Sequence, residues 1–361
     1  MPQISRSMKV LFNLPPSTIE RCFRKSDLAR LAAAHEMVLP DFAAGGAFAE
    51  LAAKGRLTGD TPEVAALKAF VRKHLADAEA MVTGWGMIPL SAEDVAAAKK
   101  LRAIVHSAGS VKTLVPEEAW KRGVRVGTCN GALAIGVAET TLGMILCGLK
   151  GFFPSRDWTR AGNWHDPKLG TAREVVREPF GLTVGVISAS KVGLHVLKLL
   201  RAFELEVLLY DPFMKPERAK ELGAALVSLE ELAKRSDVVT LHAPNLPATR
   251  HMLKREHFRA MKDGAVFINT ARGAIVDEAA MVEELKGGRI FAFLDVTDPE
   301  PPAKDSPLRS LPNVVLTPHL AGHASNGCFR QGRSAVDQVL EFASGKPMHG
   351  EVTLAMLATM G

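Results

Sequence analysis

From about Gly181 to His319 the chain alternates short apolar, β-branched runs with amphipathic stretches, and no other feature restricts its fold so tightly. A strand covered on both faces reads as a continuous apolar run, and successive parallel strands need a crossover, usually a helix. The runs Leu182 to Ile187, Glu206 to Tyr210, Asp237 to His242, Ala265 to Asn269, Ile290 to Val296 and Asn313 to Thr317 read as such strands. Between them lie helix candidates at Val192 to Phe203, Pro216 to Leu222, Leu229 to Lys234 and Glu278 to Lys286. Asp277 stands where a carboxylate caps a helix, and Gly287-Gly288 stands where one stops. The pattern predicts an α/β fold built on a doubly wound parallel sheet.

The region before it repeats the rhythm more weakly, with strand candidates at Met8 to Phe12, Ala80 to Thr83, Ala103 to Ser107 and Arg125 to Gly127. A chain of 361 residues is long for one core and suits two domains able to enclose a cleft. The run Ala132 to Leu149 reads as a long buried helix carrying the chain into the second domain, and the helix candidate Arg333 to Ala343 reads as a return to the first. The expected division is residues 1–131 with 325–361 as a smaller, flavodoxin-like α/β substrate domain, into which the nucleotide domain 132–324 is inserted. Gly45 to Asp60 reads as a surface insertion.

Composition narrows the function classes. Hydrophobic residues at 47% and charged residues at 23% fit a soluble globular chain rather than a disordered one. The net charge of +6 is spread through segments such as Arg21 to Arg30 and Ala97 to Arg102, and aromatic residues do not interleave with it. That argues against nucleic acid and for an anionic small molecule. Cys22, Cys129, Cys147 and Cys328 are far apart and show no metal-ligand spacing, so reduced thiols, no metal and a cytoplasmic location are expected. No apolar run approaches the roughly 20 uncharged residues that span a bilayer, because Arg, Lys, Asp or Gly interrupts each one.

After the strand LTVGVIS comes Ser188-Ala189-Ser190-Lys191-Val192-Gly193, where a Rossmann-type dinucleotide site carries GxGxxG. Only the third glycine, the one that lets helix and strand approach, is present. The hydroxyl and N–H of Ser190, with Lys191 and Val192, remain as pyrophosphate contacts at a helix start. Roughly twenty residues on, the next strand ends at Asp211, placed to bind the adenosine ribose hydroxyls. A carboxylate there repels a 2′-phosphate, so NAD is favoured over NADP, with Lys215 and Arg218 the nearby cations that favour the phosphorylated form. As a plain turn residue before Pro212, Asp211 has a second reading.

Three further segments, SDVVTLHAPNLPATRHML, GAVFINTARGAIVDEAAMVEEL and FAFLDVTDPEPPAKDSPLRSLPNVVLTPHLAGH, resemble the D-isomer-specific 2-hydroxyacid dehydrogenase family in order and spacing. The resemblance runs from about Val82 to Ala343. It implies that Arg272 binds the substrate carboxylate, a task suited to a planar guanidinium fork. His319 is then the acid/base, and Glu300 hydrogen-bonds and orients it. A glutamate at 300 also separates the chain from the related formate dehydrogenases, which carry an amide there.

The same resemblance places Thr270, Ala271 and Asp295 at the nicotinamide end, and His242, Ala243, Pro244 and Thr249 along the cofactor's path. Ala108, Gly109 and Ser110 fall in a glycine-containing loop that holds the substrate carboxylate, with Lys112 where an Asp is often found. Trp85 is a candidate wall for the substrate side chain. The implied activity is NAD(H)-dependent interconversion of a small 2-oxo acid and its D-2-hydroxy acid, hydroxypyruvate or glyoxylate reductase-like, in a homodimer formed through the nucleotide domain. The altered fingerprint leaves a second reading, a nucleotide sensor or protein-binding module on the same fold.

Overall fold

The computed structural model describes residues 7–41, 61–164, 176–323 and 325–360, so the segment Gly45 to Asp60 lies outside the described residues. The chain divides into two compact units, Met1–Leu133 with Ala324–Met360, and Ala134–His323.

In the first unit, five parallel strands, β1 (Lys9–Asn13), β2 (Glu36–Val38), β3 (Ala80–Thr83), β4 (Ala103–His106) and β5 (Arg125–Thr128), stand in the order β2-β1-β3-β4-β5. That order is flavodoxin-like, with its reversal between β1 and β3. All residues of β3 and β4 are buried, which is why both read as unbroken apolar runs. Opposite faces of this sheet are covered by separate clusters, one around Leu67, Met81 and Ile104 and the other around Phe12, Val105 and Val336.

The second unit holds β6 (Thr183–Ile187), β7 (Glu206–Tyr210), β8 (Ala225–Leu226), β9 (Val238–Leu241), β10 (Val266–Asn269), β11 (Phe291–Leu294) and β12 (Val314–Leu316). They pair in parallel in the order β12-β11-β10-β9-β6-β7-β8. The order reverses between β6 and β9, so a crevice opens at the carboxyl ends of these two strands, where doubly wound sheets bind ligands. The expected helices form, at Lys191–Leu200, Pro216–Glu221, Leu229–Arg235 and Glu278–Lys286. Asp277 caps the last of them by accepting from the Ala280 N–H at 3.1 Å, and Gly288 takes the left-handed φ of +70° that follows.

Two sequence expectations change. The helix Asn130–Leu149 is 20 residues long and apolar enough, by length and composition, to cross a membrane, contrary to the reading that no run approaches that size. Its Ala138, Ile145 and Leu149 pack on Val184, Val266 and Phe293, so one face of it lies in the core. A Cβ on Gly148 would lie 2.9 Å from both Val266 and Phe293, so this helix rests directly on the sheet. The final helix starts earlier than its apolar stripe suggested, at Cys328, and runs to Ala343. It packs in the first unit, and β13 (Glu351–Val352) then adds an antiparallel edge to β5. The bidentate pair Arg125–Glu351 reinforces that edge.

His106 and His242 are buried at the carboxyl ends of their strands. His106 accepts or donates at 2.9 Å to the Thr83 hydroxyl, and burial pushes its pKa down to about 4. His242 pairs with the Thr240 hydroxyl at 3.0 Å, and burial pushes it to about 3. Both are held neutral in the fold, whereas the unfolded chain takes up a proton near pH 6.5. Stability is therefore fully present above that pH and is lost as pH falls through the windows from about 6.5 to 4 and 6.5 to 3. For His106 the loss should be on the order of 3 kcal/mol. Melting temperature against pH checks this: His106→Asn, which does not titrate, should show a shallower fall between pH 6 and 4 than the parent.

Candidate active site

The turn after β6 is where the sequence departs most from a glycine-rich phosphate loop. Ser188 occupies the left-handed region at φ +75°, which costs a residue with a Cβ about 1–2 kcal/mol. Its carbonyl passes so close to the following helix that a Cβ on Gly193 would lie 2.0 Å from it. The third glycine is thus required, and the first position keeps a glycine's conformation without being one. Ser190 caps the helix Lys191–Leu200, its hydroxyl accepting from the Gly193 N–H at 3.3 Å. No acid lies in the first turn of that helix, and Lys191 is exposed at its start. A polyanion such as a pyrophosphate fits this end. Asp211, at the end of β7, accepts from the Ala189 N–H at 2.8 Å and the Phe213 N–H at 2.9 Å.

Across the reversal of strand order, β9 leads into His242, Ala243 and Pro244, the first two buried. Thr249 closes this loop on itself, donating to the Pro244 carbonyl at 2.6 Å and accepting from the Leu246 N–H at 2.9 Å. The loop after β10 carries Thr270, Ala271 and Arg272. Asn269 shapes it by accepting from the Ala271 N–H and donating to the Arg272 carbonyl, both at 3.0 Å. Thr270 shares a hydrogen bond of 3.0 Å with Thr141 on the apolar helix. Arg272 is exposed, yet the surrounding protein lowers its pKa by desolvation, while the Glu300 charge pulls the other way.

Glu300 and His319 meet directly, with Nδ1 to Oε1 at 2.6 Å. Both side chains stay a little under half exposed, at 42% and 45%. Asp295 shows what the sequence did not. One carboxylate oxygen accepts from the Thr317 hydroxyl at 2.6 Å and the Leu320 N–H at 2.8 Å, and the other from the Ala321 N–H at 2.9 Å. Its carbonyl accepts from the His319 N–H at 2.9 Å. Asp295 therefore braces the loop bearing His319, itself held at φ +55°. Nothing in the sequence marked that bracing role.

A family model for the NAD binding domain of D-isomer specific 2-hydroxyacid dehydrogenases matches residues 142–321, which include Arg272, Glu300 and His319. Hydroxypyruvate reductase of Thermotoga maritima is 33% identical over 255 residues, covering 70% of this chain and 81% of that protein. The chain belongs to the D-isomer specific 2-hydroxyacid dehydrogenase family. D-3-phosphoglycerate dehydrogenase of Archaeoglobus fulgidus is 35% identical over 266 residues, 73% of this chain, but the match spans about half, 50%, of that longer protein. The crystal structure of a phosphoglycerate oxidoreductase from Rhizobium etli superposes with a TM-score of 0.75 at 25% identity, covering 96% of this chain and 97% of that one.

In this member of the D-isomer specific 2-hydroxyacid dehydrogenase family, the loop carrying Arg272 rests on the segment before Glu300 through one glycine. A Cβ on Gly273 would lie 2.1 Å from the Thr297 carbonyl carbon and 2.5 Å from the Asp298 nitrogen. Backbone cannot rotate aside as a side chain can, so Gly273→Ala should cost about 1–3 kcal/mol through overpacking and part the Arg272 and Glu300 loops. The expected result is a melting temperature lower by several degrees together with reduced turnover. Unchanged values of both would show that the two loops are not coupled.

In the first unit, Trp85 follows β3, at the reversal of strand order. It is half-buried, with the Arg21 guanidinium 5.4 Å from its ring centroid and its carbonyl accepting from the Thr18 hydroxyl. Ala108 is buried, and Gly109 and Ser110 are partly exposed beyond β4. Ser107 ties that loop back by donating to the Thr83 carbonyl at 2.8 Å. All four cysteines are free, and no group of three or more metal-ligating side chains occurs among the described residues.

Proposed function

We propose that the protein interconverts a small 2-oxo acid and its D-2-hydroxy acid, with NAD(H) as the hydride carrier. The observation that carries the reading is the His319–Glu300 contact of 2.6 Å beside an Arg272 that feels the Glu300 charge. The matched relatives bear the names of a hydroxypyruvate reductase and a phosphoglycerate dehydrogenase, which supports a small acid of that class.

A nicotinamide dinucleotide supplies the hydride when bound, with Ser190, Lys191 and Val192 on its pyrophosphate and Asp211 on its ribose. The chain's own residues do the rest. Arg272 binds the substrate carboxylate and draws charge from the adjacent carbonyl, a two-point contact suited to a guanidinium. Glu300 engages Nδ1 of His319, leaving Nε2 to hold the proton given to the carbonyl oxygen in reduction and recovered in oxidation. Trp85, Ala108, Gly109 and Ser110 are the further substrate contacts that the family resemblance implies. His242, Ala243, Pro244, Thr249, Thr270 and Ala271 line the dinucleotide's course along the strand ends. Asp211 favours NAD over NADP, since a carboxylate repels a 2′-phosphate. Large exposed apolar side chains at Phe152, Trp164 and Phe180 support a homodimer through this unit, to be checked by light scattering.

The test is NADH oxidation, followed by absorbance, with glyoxylate, hydroxypyruvate, pyruvate and larger 2-oxo acids. Folded protein with no turnover on any of them would overturn the reading. A second reading, a nucleotide sensor, rests on Ser188 and Ser190 in place of glycines. Calorimetric binding of NADH without turnover favours it, and absence of binding removes both.

A further inference from the structure

The fingerprint turn lacks two of its three glycines, yet its first position holds a conformation that favours glycine. A non-glycine residue at φ +75° persists only where its surroundings leave it no alternative. Ser188 is fixed from several directions. Its N–H donates to the Tyr210 carbonyl at 2.7 Å, and its own carbonyl lies against Gly193. The decisive constraint comes from Asp211. One carboxylate oxygen accepts from the Ala189 N–H at 2.8 Å and more weakly from the Ser188 hydroxyl at 3.4 Å. The other accepts from the Phe213 N–H at 2.9 Å. Phe213 as a residue is 85% exposed, and only its backbone N–H engages the carboxylate.

We propose that Asp211 is a clasp on the phosphate turn as well as an acceptor for the ribose, and that Ser188 is the residue that makes the clasp necessary. A carboxylate whose two oxygens serve three donors cannot swing aside to admit a 2′-phosphate. Preference for the unphosphorylated dinucleotide is thereby built into the turn, and removing Asp211 alone damages the turn before it relaxes selectivity. This selectivity rests on the dinucleotide reading above, whereas the clasp itself exists without any ligand.

The experiment is a double-mutant cycle with Ser188→Gly and Asp211→Ala in the full chain. Melting temperature is read without dinucleotide, and calorimetric affinity is read for NADH and NADPH separately. Ser188→Gly alone should raise the ligand-free melting temperature and tighten NADH, because glycine takes the left-handed conformation freely. Asp211→Ala alone should lower the melting temperature by about 3–6 °C, weaken NADH by about tenfold or more and gain nothing for NADPH. In the Ser188→Gly background the same change should cost less than half as many degrees, and NADPH should gain on NADH. Equal losses in both backgrounds would overturn the clasp. So would an Asp211→Ala protein that melts like its parent and binds NADPH more tightly, since that is the behaviour of a ribose contact alone. Should Asp211→Ala fail to fold, Asp211→Asn, which keeps one accepting oxygen, completes the cycle with a smaller drop. If the parent binds neither dinucleotide, the cofactor reading falls, while the ligand-free cycle still decides the clasp.

Discussion

Replacing His319 by glutamine should lower kcat for 2-oxo acid reduction by on the order of 10²–10⁴-fold while leaving NADH affinity within a few-fold. The size follows from what the side chain is asked to do. An amide fills much the same space and can hydrogen-bond Glu300, but it cannot give up a proton at neutral pH. His319 lies on a loop whose shape is set elsewhere, by the three hydrogen bonds to the Asp295 carboxylate and by the bond from its own N–H to the Asp295 carbonyl. The substitution therefore removes the proton without displacing the loop. Glu300→Gln should cost less, because an amide oxygen can still accept from Nδ1 at the 2.6 Å contact, and Glu300→Ala should cost more. Steady-state kinetics with single-turnover measurements separate these losses from binding. A His319→Gln protein that retains turnover would remove the acid/base assignment altogether.

The contrast between His319 and Asp295 also shows what a linear sequence conveys and what it withholds. β7 was legible to the residue, because it is a buried run bounded by polar positions, and β6, β9, β10 and β11 differed only by end residues. The edge strands β2, β8 and β13 were not legible. They are two or three residues long and partly exposed, so they lack the apolar run that announces a covered strand. The helix Asn130–Leu149 was visible as a helix, but not its resemblance to a membrane span, because its glycines read as interruptions. Glycines such as Gly148 instead let it lie against Val266 and Phe293.

In the site, the triad came from motif resemblance, which carries residue identity but not geometry. Asp211 was assigned to the cofactor because it stands at the end of a strand, and Asp295 because the family resemblance put it there. In the fold both carboxylates are engaged by protein donors, one bracing the His319 loop and the other the Ser188 turn. Such bonds depend on backbone N–H groups whose directions are set only by the finished turn, and no spacing rule encodes them. The positive φ of Ser188 was legible in part, since a serine where a glycine belongs implies strain. That of His319 was not, because nothing in TPHLAGH marks the residue for the left-handed region.

Arg272→Lys should lower kcat/KM by about 10- to 150-fold, and Arg272→Ala by more. A charged hydrogen bond is worth about 1.5–3 kcal/mol, and lysine retains the charge while losing one of the two prongs of the fork. The surroundings sharpen this expectation. Asn269 holds the loop through the Ala271 N–H and the Arg272 carbonyl, and the Arg272 side chain's Nη1 donates to the Ala271 carbonyl at 2.6 Å, so the guanidinium starts from an ordered position. Crowding by protein lowers its pKa, and the same desolvation strengthens its attraction for an anion. A lysine there has no planar group to lie along the loop, and its flexible stem adds disorder. If Arg272 both binds the carboxylate and polarises the carbonyl, the loss should divide between KM and kcat, because the first interaction is present in the ground state and the second grows in the transition state. A rise in KM alone would restrict Arg272 to anchoring. A fall in neither, in a protein that still turns over 2-oxo acids, would mean that another cation holds the substrate.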